Sequence, residues 1–189
     1  VMNSLFCFYD MQVSPCSYDF FTFLYSAEIC RIRRGLKGIK LILVKGPNHD
    51  FRQDQIRTRI QNETFFHNVI VPGISLLPSC ESFMWLNRQE ASLNLQKEHI
   101  FPKGYSTQRP INEYCGHELV ASKIRQDEIS FFKAPKYAEA IAEQFINQQI
   151  GNNAFVTLTI REIERDDVGG TRRIDIKFWN NTIEKLNSL

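Results

Sequence analysis

A chain of 189 residues, 43% hydrophobic and 12% aromatic, has the size of one medium domain, or of one domain and part of another, with enough apolar surface for a packed core. Its formal net charge of +2, from 23 basic and 21 acidic residues, excludes a broad basic field for nucleic acid and an acidic solvating tail. No apolar run reaches the ~20 residues of a membrane span, and Val1 to Phe8 lacks a basic leader and reads as a strand rather than a signal peptide.

Leu5 to Tyr9 is a short apolar run of the buried-strand type, followed by Asp10 in a polar loop. Ser14-Pro15 signals a helix start, and Phe20, Phe23, Leu24 and Ala27 repeat at helical spacing, with Phe21, Tyr25 and Ile32 widening the face. Gly35 stops that helix, and its basic end (Arg31, Arg33, Arg34, Lys37) suits the negative end of the helix dipole. Ile39 to Val44 is a second strand, closed by Gly46-Pro47. Strand, helix and strand make a βαβ unit with a right-handed crossover.

Asp54 to Phe66 is helical and polar on one side. Val69 to Leu77 holds Pro72 and Gly73 and reads as a broken helix or a loop into a helix. Ser82 to Leu86 is a third strand, and Arg88 to Ala91 opens a helix or turn. Ile100 to Arg109, with Pro102 and Gly104, reads as a loop. Glu113 to Glu128 has helical spacing. Pro135 begins a helix with Tyr137, Ala138, Ile141, Ala142, Phe145 and Ile146 on one face, ended by Gly151. Ala154 to Ile160 is a strand, followed by a Gly-containing loop and a helix from about Asp175 to Leu186. The alternation predicts an α/β fold: a Rossmann-like parallel sheet flanked by helices, then the first strand, loop and helix of a second such domain.

Five cysteines (Cys7, Cys16, Cys30, Cys80, Cys115), odd in number and without a CxxC pair, point to a reduced cytoplasmic protein with mostly buried thiols. Asn62 and Asn180 head glycosylation-type triplets, read as chance matches. His49, His67, His99 and His117 lack ligand spacing, so no metal site is expected. None of the common nucleotide-binding, zinc-protease or serine-hydrolase motifs is present.

Asp10 follows the first strand, where open α/β sheets line a ligand cleft; its other reading is a solvated loop aspartate. Asn48 and His49, in the loop after the second strand, offer directional hydrogen bonds to a polyol, or are plain surface. Arg161 ends the Ala154–Ile160 strand and faces a loop and a helix start. A guanidinium there holds a phosphate by paired hydrogen bonds, or pairs with Glu162 or Asp166.

Phe155 to Glu162 resembles the strand that opens the nucleotide-sugar domain of fucosyltransferase-like GT-B glycosyltransferases, which carry a V-x-H-x-R strand. Arg161 matches the arginine, and Thr159 stands where the histidine falls. Phe8 to Pro15, Asp19 to Leu24, Val71-Pro72 and Leu76 to Cys80 are similar to an uncharacterised bacterial glycosyltransferase-like group, in which the arginine strand is followed by a loop and helix; Arg172, Arg173 and Asp175 occupy that region here.

The resemblance implies an acceptor-side Rossmann-like domain over residues 1–153. Residues 154–189 are then the opening of a nucleotide-sugar-binding domain, apparently truncated. It implies transfer of a sugar from a nucleotide-sugar donor to a glycan or cell-surface polymer, with no cofactor beyond that co-substrate and no metal. Arg161 and Thr159 would bind the donor phosphates, Arg161 would stabilise the leaving diphosphate, Asp10 would be the base for the acceptor hydroxyl, and Asn48 and His49 would touch the acceptor. The isolated chain is expected to be inactive, since such catalysis needs a cleft between two domains. The alternative is a non-catalytic α/β module that associates, with itself or with a missing C-terminal domain, through apolar residues such as Phe178, Trp179 and Ile183.

Overall fold

The structure, a computed structural model, describes residues 3–53, 58–95, 99–112 and 131–151. The chain forms two compact units, Val1–Glu139 and Ala140–Leu189. The first contains the sheet. The expected domain boundary after Asn153, and the strand, loop and helix beyond it, lie outside the described residues, as does the helix expected over Glu113 to Glu128.

Four strands, β1 (Ser4–Asp10), β2 (Gly38–Val44), β3 (Cys80–Leu86) and β4 (Ile100–Phe101), form one sheet in the order β3-β2-β1-β4. Every pairing is parallel. This confirms the α/β, Rossmann-like reading. β1 and β2 pair in register along their full length, from Ser4 opposite Gly38 to Asp10 opposite Val44. The order runs outward through β2 to β3 and then returns to place β4 on the other side of β1. The carboxyl ends of β1 and β4 therefore flank the switch point, where sheets of this kind leave a crevice.

β1 is buried on both faces, hence its unbroken apolar run. Leu5, Cys7 and Tyr9 face one core, with Leu41 and Leu43 of β2. Phe6 and Phe8 face the other, with Ile42 and Val44. Helix α1 (Asp19–Arg33) covers the first face with Phe20, Phe23, Leu24 and Ala27, all essentially without exposure. Tyr9 meets Phe20 and Phe23 edge-on at 5.1 and 5.0 Å, and Phe23 reaches Phe101 of β4 at 5.4 Å. Such aromatic pairs add about 0.5–1.5 kcal/mol each beyond the area they bury.

The helix begins later than Ser14-Pro15 suggests. Residues 11–18 form turns and bends folded back onto β1: Ser14 N–H donates to the Asp10 carbonyl at 2.8 Å, and the Tyr9 hydroxyl donates to the Pro15 carbonyl at 2.5 Å. With the Pro15 carbonyl taken and Ser14 committed upstream, the helix starts at Asp19, whose N–H bonds the Ser17 hydroxyl. Gly35 ends it at φ +63°, a left-handed position that glycine takes without penalty.

Helix α2 (Arg59–Phe65) is capped by Thr58 in a reciprocal box with Gln61. It continues through a π-helical turn (Phe66–Ile70) into α3 (Val71–Ile74), the broken helix expected around Pro72. Helix α4 (Arg88–Ser92) follows β3, capped by Asn87 and Glu90. The stretch Ile100 to Arg109, read as loop, contains β4; two residues ahead of a proline are too few to show alternation. Helix α5 (Lys136–Phe145) leads into a π-helical turn, Ile146–Ile150. Its expected apolar face is exposed in the structure: Tyr137, Ile141 and Phe145 are 70%, 64% and 59% accessible.

At the amino edge of the sheet, buried Glu28 receives two hydrogen bonds from Arg31, at 2.7 and 2.8 Å, and one from the Ser79 hydroxyl at 2.5 Å. Arg31 also donates to the Leu36 carbonyl. The hydrogen bond to Glu28 raises the Arg31 pKa above its ordinary value, against the opposing effect of burial. One carboxylate thus ties the end of α1 to the entry of β3. Removing one partner of a buried pair leaves an uncompensated charge, at about 3 kcal/mol or more. Glu28→Ala is predicted to lower stability by about that amount in urea unfolding; a loss under about 1 kcal/mol would show that Arg31 and Ser79 find water instead.

Candidate functional site

The sequence puts Asp10 in a polar loop after the first strand, with a solvated loop aspartate as its other reading; the structure corrects this and makes it the last residue of the central strand β1. The structure buries its side chain completely. An ionised carboxylate in that position needs donors, and three arrive from three segments. The Gln12 N–H donates to Oδ1 at 2.9 Å, Arg88 Nη2 donates to Oδ1 at 2.7 Å, and the Tyr105 hydroxyl donates to Oδ2 at 2.7 Å. Arg88 follows Asn87 just past the carboxyl end of β3, and Tyr105 lies in the loop after β4. The group therefore gathers around the switch point between β1 and β4.

Arg88 bridges further. Its Nη1 donates to the Thr107 carbonyl, while its side chain keeps 32% exposure. Two of the five N–H donors of a guanidinium are so engaged, and the rest remain for a ligand or water. The Tyr105 ring stacks on Phe8 at 4.7 Å with 19° between planes. Burial, then the hydrogen bond to Asp10, raises the Tyr105 phenol well above the ordinary tyrosine pKa. The loop is tied again at its far end. Asn112 Nδ2 donates to the Val13 carbonyl at 3.0 Å, and the Ser14 hydroxyl lies 3.5 Å from Asn112 Oδ1.

The loop after β2 borders the same edge. Gly46 lies so close to the Met11 carbonyl and the Phe51 backbone that a Cβ there would clash, so only glycine lets the two loops touch. Two antiparallel bridges, Gly46 with Asp50 and Asn48 with Phe51, close the loop. His49 and Asp50 sit at its tip with φ +48° and +73°, in the left-handed region that His and Asp populate more readily than most residues. Asn48 and His49 are exposed, and His49 Nδ1 lies 3.5 Å from Arg59 Nη1. Lys45 pairs with Asp50 at 3.2 Å and stands 4.9 Å above the Trp85 ring. Among the described residues no hydrogen bond joins Asn48 or His49 to Asp10, so the structure brings them to one edge but not into one cluster.

Thr159 and Arg161 lie outside the described residues. Arg88 and Tyr105 escaped the sequence reading. Both are long polar side chains one or two residues past a strand end or a glycine, a faint signal without the topology. Among the described residues no cluster of three or more His, Cys, Asp or Glu side chains could hold a metal ion, and no helix is long and apolar enough to cross a membrane. Cys7 and Cys16 are buried, and burial pushes the Cys80 thiol up to about 11. Strand order and site together define an α/β protein with a Rossmann-like parallel sheet and a polar cluster at its switch point. Comparison with family models, with curated proteins and with solved structures finds no match to this chain.

A raised phenol pKa favours the neutral, folded form. Its contribution to stability is fully present below the ordinary tyrosine pKa near ~10 and is lost as pH rises toward the folded value. Absorbance titration is predicted to show fewer than the six tyrosines ionising before the protein unfolds, since Tyr105 and the core residue Tyr9 are both buried, and Tyr105→Phe to shrink the late step by one tyrosine. An unchanged late step in the variant would assign it to another tyrosine.

Proposed function

We propose that this chain is the acceptor-side part of a GT-B-type glycosyltransferase that moves a sugar from a nucleotide-sugar donor to a glycan or cell-surface polymer. The observation that carries the reading is the Asp10–Arg88–Tyr105 cluster at the switch point of a 3-2-1-4 parallel sheet. Open α/β sheets bind ligands there. The resemblance around Phe155 to Glu162 supports the donor half of the proposal, with Arg161 and Thr159 at the donor phosphates. In the described geometry every oxygen of Asp10 is met by a donor, which suits a carboxylate that positions Arg88 and Tyr105; service as a base requires one of those donors to leave. The exposure of Asn48 and His49 on the neighbouring loop supports a contact with an extended acceptor.

Hydrogen bonds from a guanidinium to phosphate contribute about 1.5–3 kcal/mol, or roughly 10- to 100-fold in affinity. Calorimetric titration with a panel of nucleotide sugars is expected to find one that binds, and Arg161→Ala is expected to weaken it by that factor. Binding indifferent to Arg161→Ala would remove the donor assignment.

A second reading, a non-catalytic module that docks a partner, is favoured by the exposed Tyr137, Ile141 and Phe145 at successive four-residue steps on α5. Under it, sedimentation velocity shows association that Tyr137→Ser with Phe145→Ser abolishes, and no nucleotide sugar binds. A monomer at every concentration and in lysate counts against it.

A further inference from the structure

The loop after β4 passes over the carboxyl end of β1, at the switch point that the strand order creates. From Pro102 to Asn112 it is fastened to the opposite wall at separate points. Tyr105 stacks on Phe8 and bonds Asp10 Oδ2, the Thr107 carbonyl takes Arg88, and Asn112 bonds Val13 and approaches Ser14. Its internal bonds are few: Tyr105 N–H to the Pro102 carbonyl, and Ser106 and Arg109 to each other. Apart from Tyr105, Thr107 and Pro102, its residues are half-buried or exposed. Polar tethers that end on side chains at another strand end are the kind a ligand can replace, because a hydroxyl on the ligand repeats the bond it displaces.

We propose that Pro102–Asn112 is a strap closed over the switch-point crevice, and that a hydroxyl-bearing, uncharged ligand of the sugar class enters by taking the place of Tyr105 on Asp10 Oδ2. The ligand class follows from charge and geometry. Asp10 and Arg88 are paired at 2.7 Å, so the pair itself carries no net charge to hold an ionic ligand. A sugar hydroxyl both donates to Oδ2 and accepts from the uncommitted N–H groups of Arg88, and Phe8 offers the apolar face that Tyr105 leaves. Release of Tyr105 also frees Oδ2 of the one donor that lies on the strap. The sugar class rests on the transferase reading above; the strap does not.

Amide hydrogen exchange of the full chain tests the strap without any ligand. The expected result is that Tyr105, Ser106 and Arg109 amides exchange on the order of 100-fold faster than those of Phe8 and Leu43, through local opening. Tyr105→Phe, which keeps the ring on Phe8 and removes the donor, speeds them about tenfold more. A disulfide joining Ser14→Cys and Asn112→Cys slows them to the rate of the sheet, and reduction restores them. Strap amides that exchange only as slowly as the sheet overturn the proposal. A panel of neutral methyl hexopyranosides, followed by NMR, tests entry: the oxidised pair is expected to abolish binding and Tyr105→Phe to strengthen it several-fold. Glycoside binding unaffected by the disulfide overturns the strap as a gate. Opening with no glycoside bound by any form overturns the acceptor reading and the ligand class, and leaves the strap standing.

Discussion

Asp10 buries a negative charge at the end of the central strand, and most of the carboxyl edge is arranged to compensate for it. An isolated ionised carboxylate away from water costs more than a strand pairing returns, so its donors are obligatory. They come from the turn after β1, from the residue that opens α4 and from the loop after β4. Satisfying one side chain therefore fixes three connections against each other. The fixed Arg88 in turn holds the Thr107 carbonyl, and the fixed Tyr105 lays its ring over Phe8 and helps to close the second core.

The amino edge uses the same device over a shorter reach. Glu28 and Arg31 are one helical turn apart on α1, and together they bind Ser79 and the Leu36 carbonyl. A pair three residues apart on a helix forms as soon as the helix does. Asp10 and Arg88 are separated by 78 positions and meet only when β1, β2 and β3 are already side by side. The first pair ties connections to a helix that exists locally; the second depends on the sheet and locks it.

That difference explains what was legible in the sequence. The unbroken apolar run of β1, the mostly apolar Ile39–Val44 run of β2 and the Phe20, Phe23, Leu24, Ala27 face of α1 follow from local pattern, and the structure places each as expected. Asp10 was legible as a candidate because its position just after an apolar run is a local fact. Its partners were not, since nothing near Arg88 or Tyr105 in the chain announces an acid 78 or 95 residues earlier. β4 was missed because two residues carry no period, and the start of α1 was misplaced because Tyr9 and Asp10, not the following residues, decide where Ser14 and Pro15 go. On α5 the period read correctly as a helix, but a helical stripe specifies only that a face is apolar, not that the chain itself covers it.

The remaining step concerns why one edge of the sheet carries both a neutralised cluster and a polar loop. Asp10 with Arg88, and Lys45 with Asp50, are pairs of opposite charge, and Gly46 presses the loop that holds the second pair against the Met11 carbonyl beside the first. Charges cancelled at short range leave hydrogen-bonding direction but little long-range field. Such an edge selects by the placement of donors and acceptors, the property that distinguishes one hydroxyl arrangement from another, and gives no general advantage to phosphate. In the proposed transferase this would separate the two substrates physically: the diphosphate would fall to Arg161, and the discrimination among uncharged hydroxyls to the switch point.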